Sequence, residues 1–214
     1  KDPTDYSFLP LWDAVLTRAG LERRKPRLQV TQENIDRVLY FRWGRDEKLK
    51  VVADYGPVEL WDVSMITDMK ELFLNMHNIN IDLKLWDVSS VESMESMFHG
   101  CEEFNRDLPW DTRSLRKARG MFAHCYAFNG NISNWNTSNV TDMSHMFVGA
   151  RSFSKNLNNW DVRNVRNFDD IFFSCDAMDR GLVSSWSMQN PLAIPVVADL
   201  PGGVIEIDSD DSEA

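Results

Sequence analysis

Thiols, imidazoles and carboxylates are the groups with which a chain can ligate metal or run nucleophilic and acid–base chemistry. This 214-residue chain holds three cysteines, Cys101, Cys125 and Cys175, and four histidines, His77, His99, His124 and His145. A metal held by Cys101 and Cys125 would need further ligands, and the histidines supply no cluster. Asp62, Asp87, Asp111, Asn136 and Asp161 recur at one spacing. Stacked carboxylates can bind Ca²⁺, but the glycine-rich nonapeptide of calcium-binding repeats is missing, so hydrogen bonds to nearby backbone N–H groups are the simpler use. There is no phosphate loop, no serine-centred elbow and no HExxH. The reading is a non-enzyme with no cofactor and no metal. Asn131, Asn136 and Asn139 open N-glycosylation patterns, which the periodic Asn and Ser/Thr residues explain by themselves.

Composition bounds the rest. With 43% hydrophobic and 26% charged residues, the chain has the makeup of a globular protein. No apolar run reaches the roughly 18 residues of a membrane helix. The chain starts at Lys1, so residues upstream are expected. Net charge is −10. Residues 1–55 hold 11 Lys/Arg against 9 Asp/Glu, whereas residues 56–214 hold 12 against 24. That balance argues against nucleic acid as the main ligand. Three cysteines are too few for a disulfide scaffold.

The elements that position these residues come from a repeat. Tryptophans stand at 61, 86, 110, 135, 160 and 186, spaced 25, 24, 25, 25 and 26 residues apart. Numbering each unit from its Trp as zero, Phe73, Phe98, Phe122, Phe147 and Phe172 all fall at position 12. Apolar residues also align at positions 2, 5, 8, 11, 15, 18 and 22, giving nine columns over five units. One 25-residue unit cannot bury its apolar face, whereas a stack shares a continuous core. Positions 8, 11, 12 and 15 have the spacing of one helix face. Thr67 and Thr141 can cap that helix, and Asn75, Gly100 and Gly149 at position 14 suit a left-handed end. The Trp and position 2 alternate like a short strand. The expectation is an α/β solenoid of about five units, each one short strand plus one short helix. At about 4.8 Å per coil, five span roughly 24 Å.

The segments YGPVELWDVSMITDMKELF (55–73) and FNGNISNWNTSNVTDMSHMF (128–147) resemble the BspA-like, mycoplasma-type surface-protein repeat. The resemblance covers about residues 55–186. It implies a leucine-rich-repeat-like solenoid and a binding or scaffolding role. The third unit departs from the pattern: WDTRSLRKARGMF places Arg113, Arg116, Lys117 and Arg119 where other units carry Ser, Thr and Asp. This basic group is read as a partner-facing patch.

The ends differ. Residues 1–55 read as a helical N-terminal cap, with helices around Leu11–Ala19, after Thr31, and around Leu49–Ala53. Arg23-Arg24-Lys25-Pro26-Arg27 reads as a solvated loop, with a nuclear address or phosphate contact as the alternative. Residues 56–186 form the solenoid and 187–203 a Pro-rich extended cap or linker. The tail, 204–214, resembles a SUMO-interacting motif: Val204, Ile205 and Ile207 form a strand, and Asp208, Ser209, Asp210 and Asp211 follow. Such a strand adds to the edge of a partner's sheet. The partners expected are other proteins: SUMO, a sumoylated protein, or neighbouring subunits of an assembly. An intracellular or virion location is favoured, with a secreted or cell-surface adhesin as the alternative.

Overall fold

The structure, a computed structural model, describes residues 30–35, 55 and 58–201. The helices expected around Leu11–Ala19 and Leu49–Ala53, the basic run at 23–27 and the strand-forming tail lie outside these residues. Of the helix expected after Thr31, only the first turn is described, where Asn34 and Ile35 donate their N–H groups to the Thr31 carbonyl.

The tryptophan-phased columns form the core. The tryptophans at positions 61 to 186 are 0–4% exposed, and the Phe column and positions 2, 5, 8 and 11 are buried throughout. Met76 and Leu182, in the first and last units, are only partly buried. Rings of one column lie over one another. Trp110, Trp135, Trp160 and Trp186 stack at 6.1–6.2 Å between centroids. Phe73, Phe98, Phe122, Phe147 and Phe172 stack at 5.3–5.8 Å. Each indole N–H from Trp86 onward is paired. Trp135, for example, donates to the Leu108 carbonyl at 2.8 Å and Trp160 to that of Ile132 at 3.1 Å. A buried Trp thus contributes area and a satisfied donor together.

Positions 8 to 15 differ from the expected α-helix: they form successive turns. In every unit, position 10 has φ of 52–61° and position 14 has φ of 55–73°. A left-handed residue every fourth step breaks the helical ladder. The N–H groups at positions 8, 10, 12 and 14 instead donate to the carbonyls at positions 7, 9, 11 and 13 of the following unit. Phe98 to Met121 and Phe122 to Met146, both at 2.9 Å, are examples. All four unit junctions carry this set at 2.6–3.1 Å. N–H groups at positions 11, 13 and 15 close turns within the unit. A left-handed non-glycine residue costs about 1–2 kcal/mol, and the two hydrogen-bond systems offset it. The expected strand is equally reduced: one parallel bridge per junction runs Asp68, Ser93, Lys117, Asp142, Asn167. Thr141 caps no helix; its hydroxyl and N–H both reach the Arg116 carbonyl of the preceding unit.

A short turn precedes most of the tryptophans, as where Trp86 N–H meets Leu83 and Trp135 N–H meets Ile132. The short second unit loses its residue there, Leu108 standing two residues before its Trp, whereas the extra residue of the fifth unit falls ahead of the turn, where buried Val183 takes the place three before Trp186. After Trp186 the chain is helical rather than extended, with α1 at Trp186–Gln189 and α2 at Ile194–Asp199. Proline is no obstacle here, because Pro191 and Pro195 stand in first turns where an N–H has no helical partner. Among the described residues no helix is long and apolar enough to cross a membrane.

Candidate interaction surface

The basic residues of the third unit occupy positions 3, 6, 7 and 9, and all four are exposed. The fold divides them. Arg113 folds back on Asp111, both as a hydrogen bond and as an ion pair. The same partnership holds Asp111 below its ordinary carboxylate range. Arg116 reaches Glu92 of the preceding unit at 3.6 Å. Lys117 contributes its backbone to the bridge row, and the Arg119 carbonyl accepts from Ser96 N–H. The side chains of Lys117 and Arg119 meet no polar partner among the described residues. The patch is therefore two compensated arginines beside two uncompensated cations. The predicted tail residues Val204, Ile205, Ile207, Asp208, Ser209, Asp210 and Asp211 lie outside the described residues.

The aspartate column serves the backbone. Asp62 accepts from the N–H and hydroxyl of Ser64 at 3.1 and 2.7 Å. Asp87, Asp111, Asn136 and Asp161 repeat the bond two residues on. These contacts hold Asp62, Asp87 and Asp161 below the usual range, with Arg163 the partner at Asp161. A second polar column, at position 19, bonds across the unit junctions. Asn80, Asn105 and Asn129 each accept, through the side-chain oxygen, the N–H of the residue one unit on: Asn105, Asn129 and Ser154.

Cys101, Cys125 and Cys175 are free and buried. Their thiols point to the Phe73, Phe98 and Ala150 carbonyls at 3.1, 2.9 and 3.2 Å. Burial pushes Cys101 and Cys175 up to about 12 and Cys125 well above its ordinary value. Neutral thiols in that setting are poor nucleophiles and poor ligands. His77 pairs with Glu102 at 3.1 Å. His99 lies edge-on to His124 at 5.3 Å, and burial with that neighbour holds His99 below the usual imidazole range. Among the described residues no group of three His, Cys, Asp or Glu can hold a metal ion.

Two features escape sequence reasoning. At the first unit, the Gln32 carboxamide stands in for a missing unit. Its oxygen accepts from Thr67 and Asp68 N–H at 3.1 and 2.9 Å, and its nitrogen donates to the Asp68 carbonyl at 2.8 Å. At the fifth unit, a groove of about 510 Å³ opens between positions 6–14 and α2. Phe173, 64% exposed, and Leu192, 57% exposed, line it. The only hint in the sequence is that the pattern fails after Trp186.

Against protein families, the profile described as "Mycoplasma protein of unknown function, DUF285" matches residues 47–109 and 108–195. No curated protein and no solved structure matches the chain.

Proposed function

From the premise that this chain belongs to that mycoplasma-type family, the BspA-like repeats, we propose that it is a non-catalytic protein-interaction scaffold. Its five units form a solenoid that presents side chains in rows. The observation that carries the reading is at Lys117 and Arg119. Their backbones hold adjacent units together, while their side chains stand exposed and without a polar partner among the described residues, and only this unit places a cation in both rows: the others place Ser, Asp, Glu or Asn there, apart from Lys70 in the first unit. A fold that needs only the backbone there leaves the side chains to recognition, and cations there suit an acidic protein surface. The role favoured is a component of an intracellular or viral assembly, in preference to a secreted adhesin.

The strand-forming tail is the second contact of this proposal. Val204, Ile205 and Ile207 would add an edge strand to a partner, with SUMO the chemistry that fits an aliphatic strand followed by acids. A quantitative pull-down tests both contacts, comparing the full chain, Lys117→Glu/Arg119→Glu, and a chain ending at Asp199. Loss of a stoichiometric partner with the charge reversal supports the row. Loss with the truncation alone moves recognition to the tail. Full retention by both variants refutes the two contacts.

A further inference from the structure

In the stack, the turns of each unit are covered by the next, which takes up the N–H groups at positions 8, 10, 12 and 14 at all four junctions. The fifth unit is covered by α1 and α2 instead, and the cover is unequal. On the strand-like side it is complete. Gln189 accepts from Val162 N–H at 3.1 Å, and Asn190 donates to the Val162 and Val165 carbonyls at 2.8 Å. The core side is closed as well: Phe168, Ile171 and Phe172 are 1–8% exposed. The wall formed by the turns stays open. Phe173 at position 13 is 64% exposed, whereas Ala123 of the same column, with a unit beyond it, is buried. The N–H groups of Phe168, Asp170, Phe172 and Ser174 have no acceptor among the described residues.

Between that wall and α2 lies the groove of about 510 Å³. Its apolar lining comes from Phe173 on the wall and from Leu192, Pro195 and Val196 on the opposite side. Its charged lining is acidic: Asp169, Asp170 and Asp199 stand against one cation, Arg166, and all four are exposed. Among the described residues Asp169 and Asp199 have no ion-pair partner, and Asp170 has only His145, at 4.0 Å. An apolar slot edged by carboxylates and backed by spare N–H donors matches a peptide. Apolar side chains meet Phe173 and Leu192, Lys or Arg meets the carboxylates, and peptide carbonyls meet the donors. We infer that this groove binds a basic, apolar peptide segment of a partner protein. The chain's net charge of −10 favours the approach of such a segment. The same charge disfavours two other occupants. A second copy brings a net charge of −10 of its own, and residues 202–214 of this chain carry five acids and no Lys or Arg. The inference goes beyond the contacts proposed above: Lys117 and Arg119 suit an acidic partner, whereas this groove suits a basic one.

The test is a random peptide library displayed on phage and panned on the full chain. The peptides recovered should combine Lys or Arg with Leu, Ile, Phe or Trp. They should bind about tenfold more weakly to Phe173→Ser and to Asp169→Lys/Asp199→Lys. All three side chains are exposed, so these variants should keep the parent's melting midpoint. Lys117→Glu/Arg119→Glu should bind the same peptides unchanged, which separates the groove from the basic row. Adding a recovered peptide should shift the amide resonances of Asp170, Phe172 and Ser174, and its binding should weaken with salt. Recovery of no peptide that depends on Phe173 and the carboxylates overturns the proposal. So does displacement of the recovered peptides by a synthetic peptide of residues 202–214, which would assign the groove to the chain's own tail. Concentration-dependent dimers that Phe173→Ser abolishes would overturn it in favour of a second copy.

Discussion

The tryptophan column offers the sharpest test of how the units hold together. Trp135 is 3% exposed. It stacks 6.1 Å from Trp110 and 6.2 Å from Trp160 and lies against Phe122, while its N–H satisfies the Leu108 carbonyl. Trp135→Ala removes the ring between two others and leaves a cavity, for about 3–5 kcal/mol. Trp135→Phe keeps most of the apolar area and removes the donor, leaving a buried carbonyl unmet at about 1–3 kcal/mol. For a chain of this size, 1 kcal/mol moves the melting midpoint by about 2–4 °C. The Ala variant should therefore melt roughly 6–20 °C below the parent, with the Phe variant between them. Trp110→Ala combined with Trp135→Ala should cost less than the sum, by about 0.5–3 kcal/mol, because the two rings share one contact. Thermal and urea denaturation read the magnitudes, and amide exchange shows whether the loss is local to units three and four. A midpoint within about 2 °C of the parent for Trp135→Ala would refute the reasoning.

Three further outcomes follow from particular contacts. Gln32→Ala should speed amide exchange at Thr67 and Asp68, leave Thr141 unchanged, and cost about 1–2 kcal/mol; unchanged exchange at both would remove its capping role. Gly130→Ala should destabilise by about 1–3 kcal/mol, since an added Cβ would run into the Arg106 carbonyl oxygen of the preceding unit. Gly181→Ala, whose nearest neighbour is the Asp179 carboxylate oxygen at 3.2 Å, is the milder control, and equal melting points would contradict the contrast. The buried thiols have folded pKa values above their unfolded ones, about 12 at Cys101 and Cys175. Their contribution is therefore complete below about pH 8.5 and falls by about 1.4 kcal/mol per thiol per pH unit as pH rises toward 12. Replacing all three by Ser, which keeps a donor toward the same carbonyls, should flatten that alkaline loss in urea titrations at pH 7 and 10; parallel slopes would count against it.

Much of the core was legible because a 25-residue phase is a strong constraint. Once Trp61, Trp86 and Trp110 set the register, columns such as Ile66, Val91, Leu115, Val140 and Val165 could only face the same interior. The local backbone was not legible. Spacings of three and four residues place side chains on one side of a helix and of a run of turns alike. The residues at position 10, Glu71, Ser96, Gly120, His145 and Asp170, give only one glycine as a warning of positive φ. The aspartate column was readable because an Asx bond reaches only two residues along. The Asn80–Asn105–Asn129 ladder was not, because its partners are a unit away. The basic patch shows the same division: four cations were visible, but their pairing with Asp111 and Glu92 depends on which side chains meet in space.

The stretch from position 18 to the next tryptophan has a further consequence, for how such a chain can change length. Residue number varies only there: Leu108 stands two residues before Trp110, and Met178 stands five residues, where Phe153 stands four, before the residue that closes the next turn. The turns and ring columns on either side keep their phase regardless. That stretch acts as an expansion joint: it has taken up one deletion and one insertion without moving the columns on either side. The same joint makes a whole unit exchangeable. Excising one Trp-to-Trp segment rejoins a Trp to the turn that normally follows it, so the ladders close across the cut. Duplicating one lengthens the molecule by a single step without asking any existing residue to change neighbours in kind.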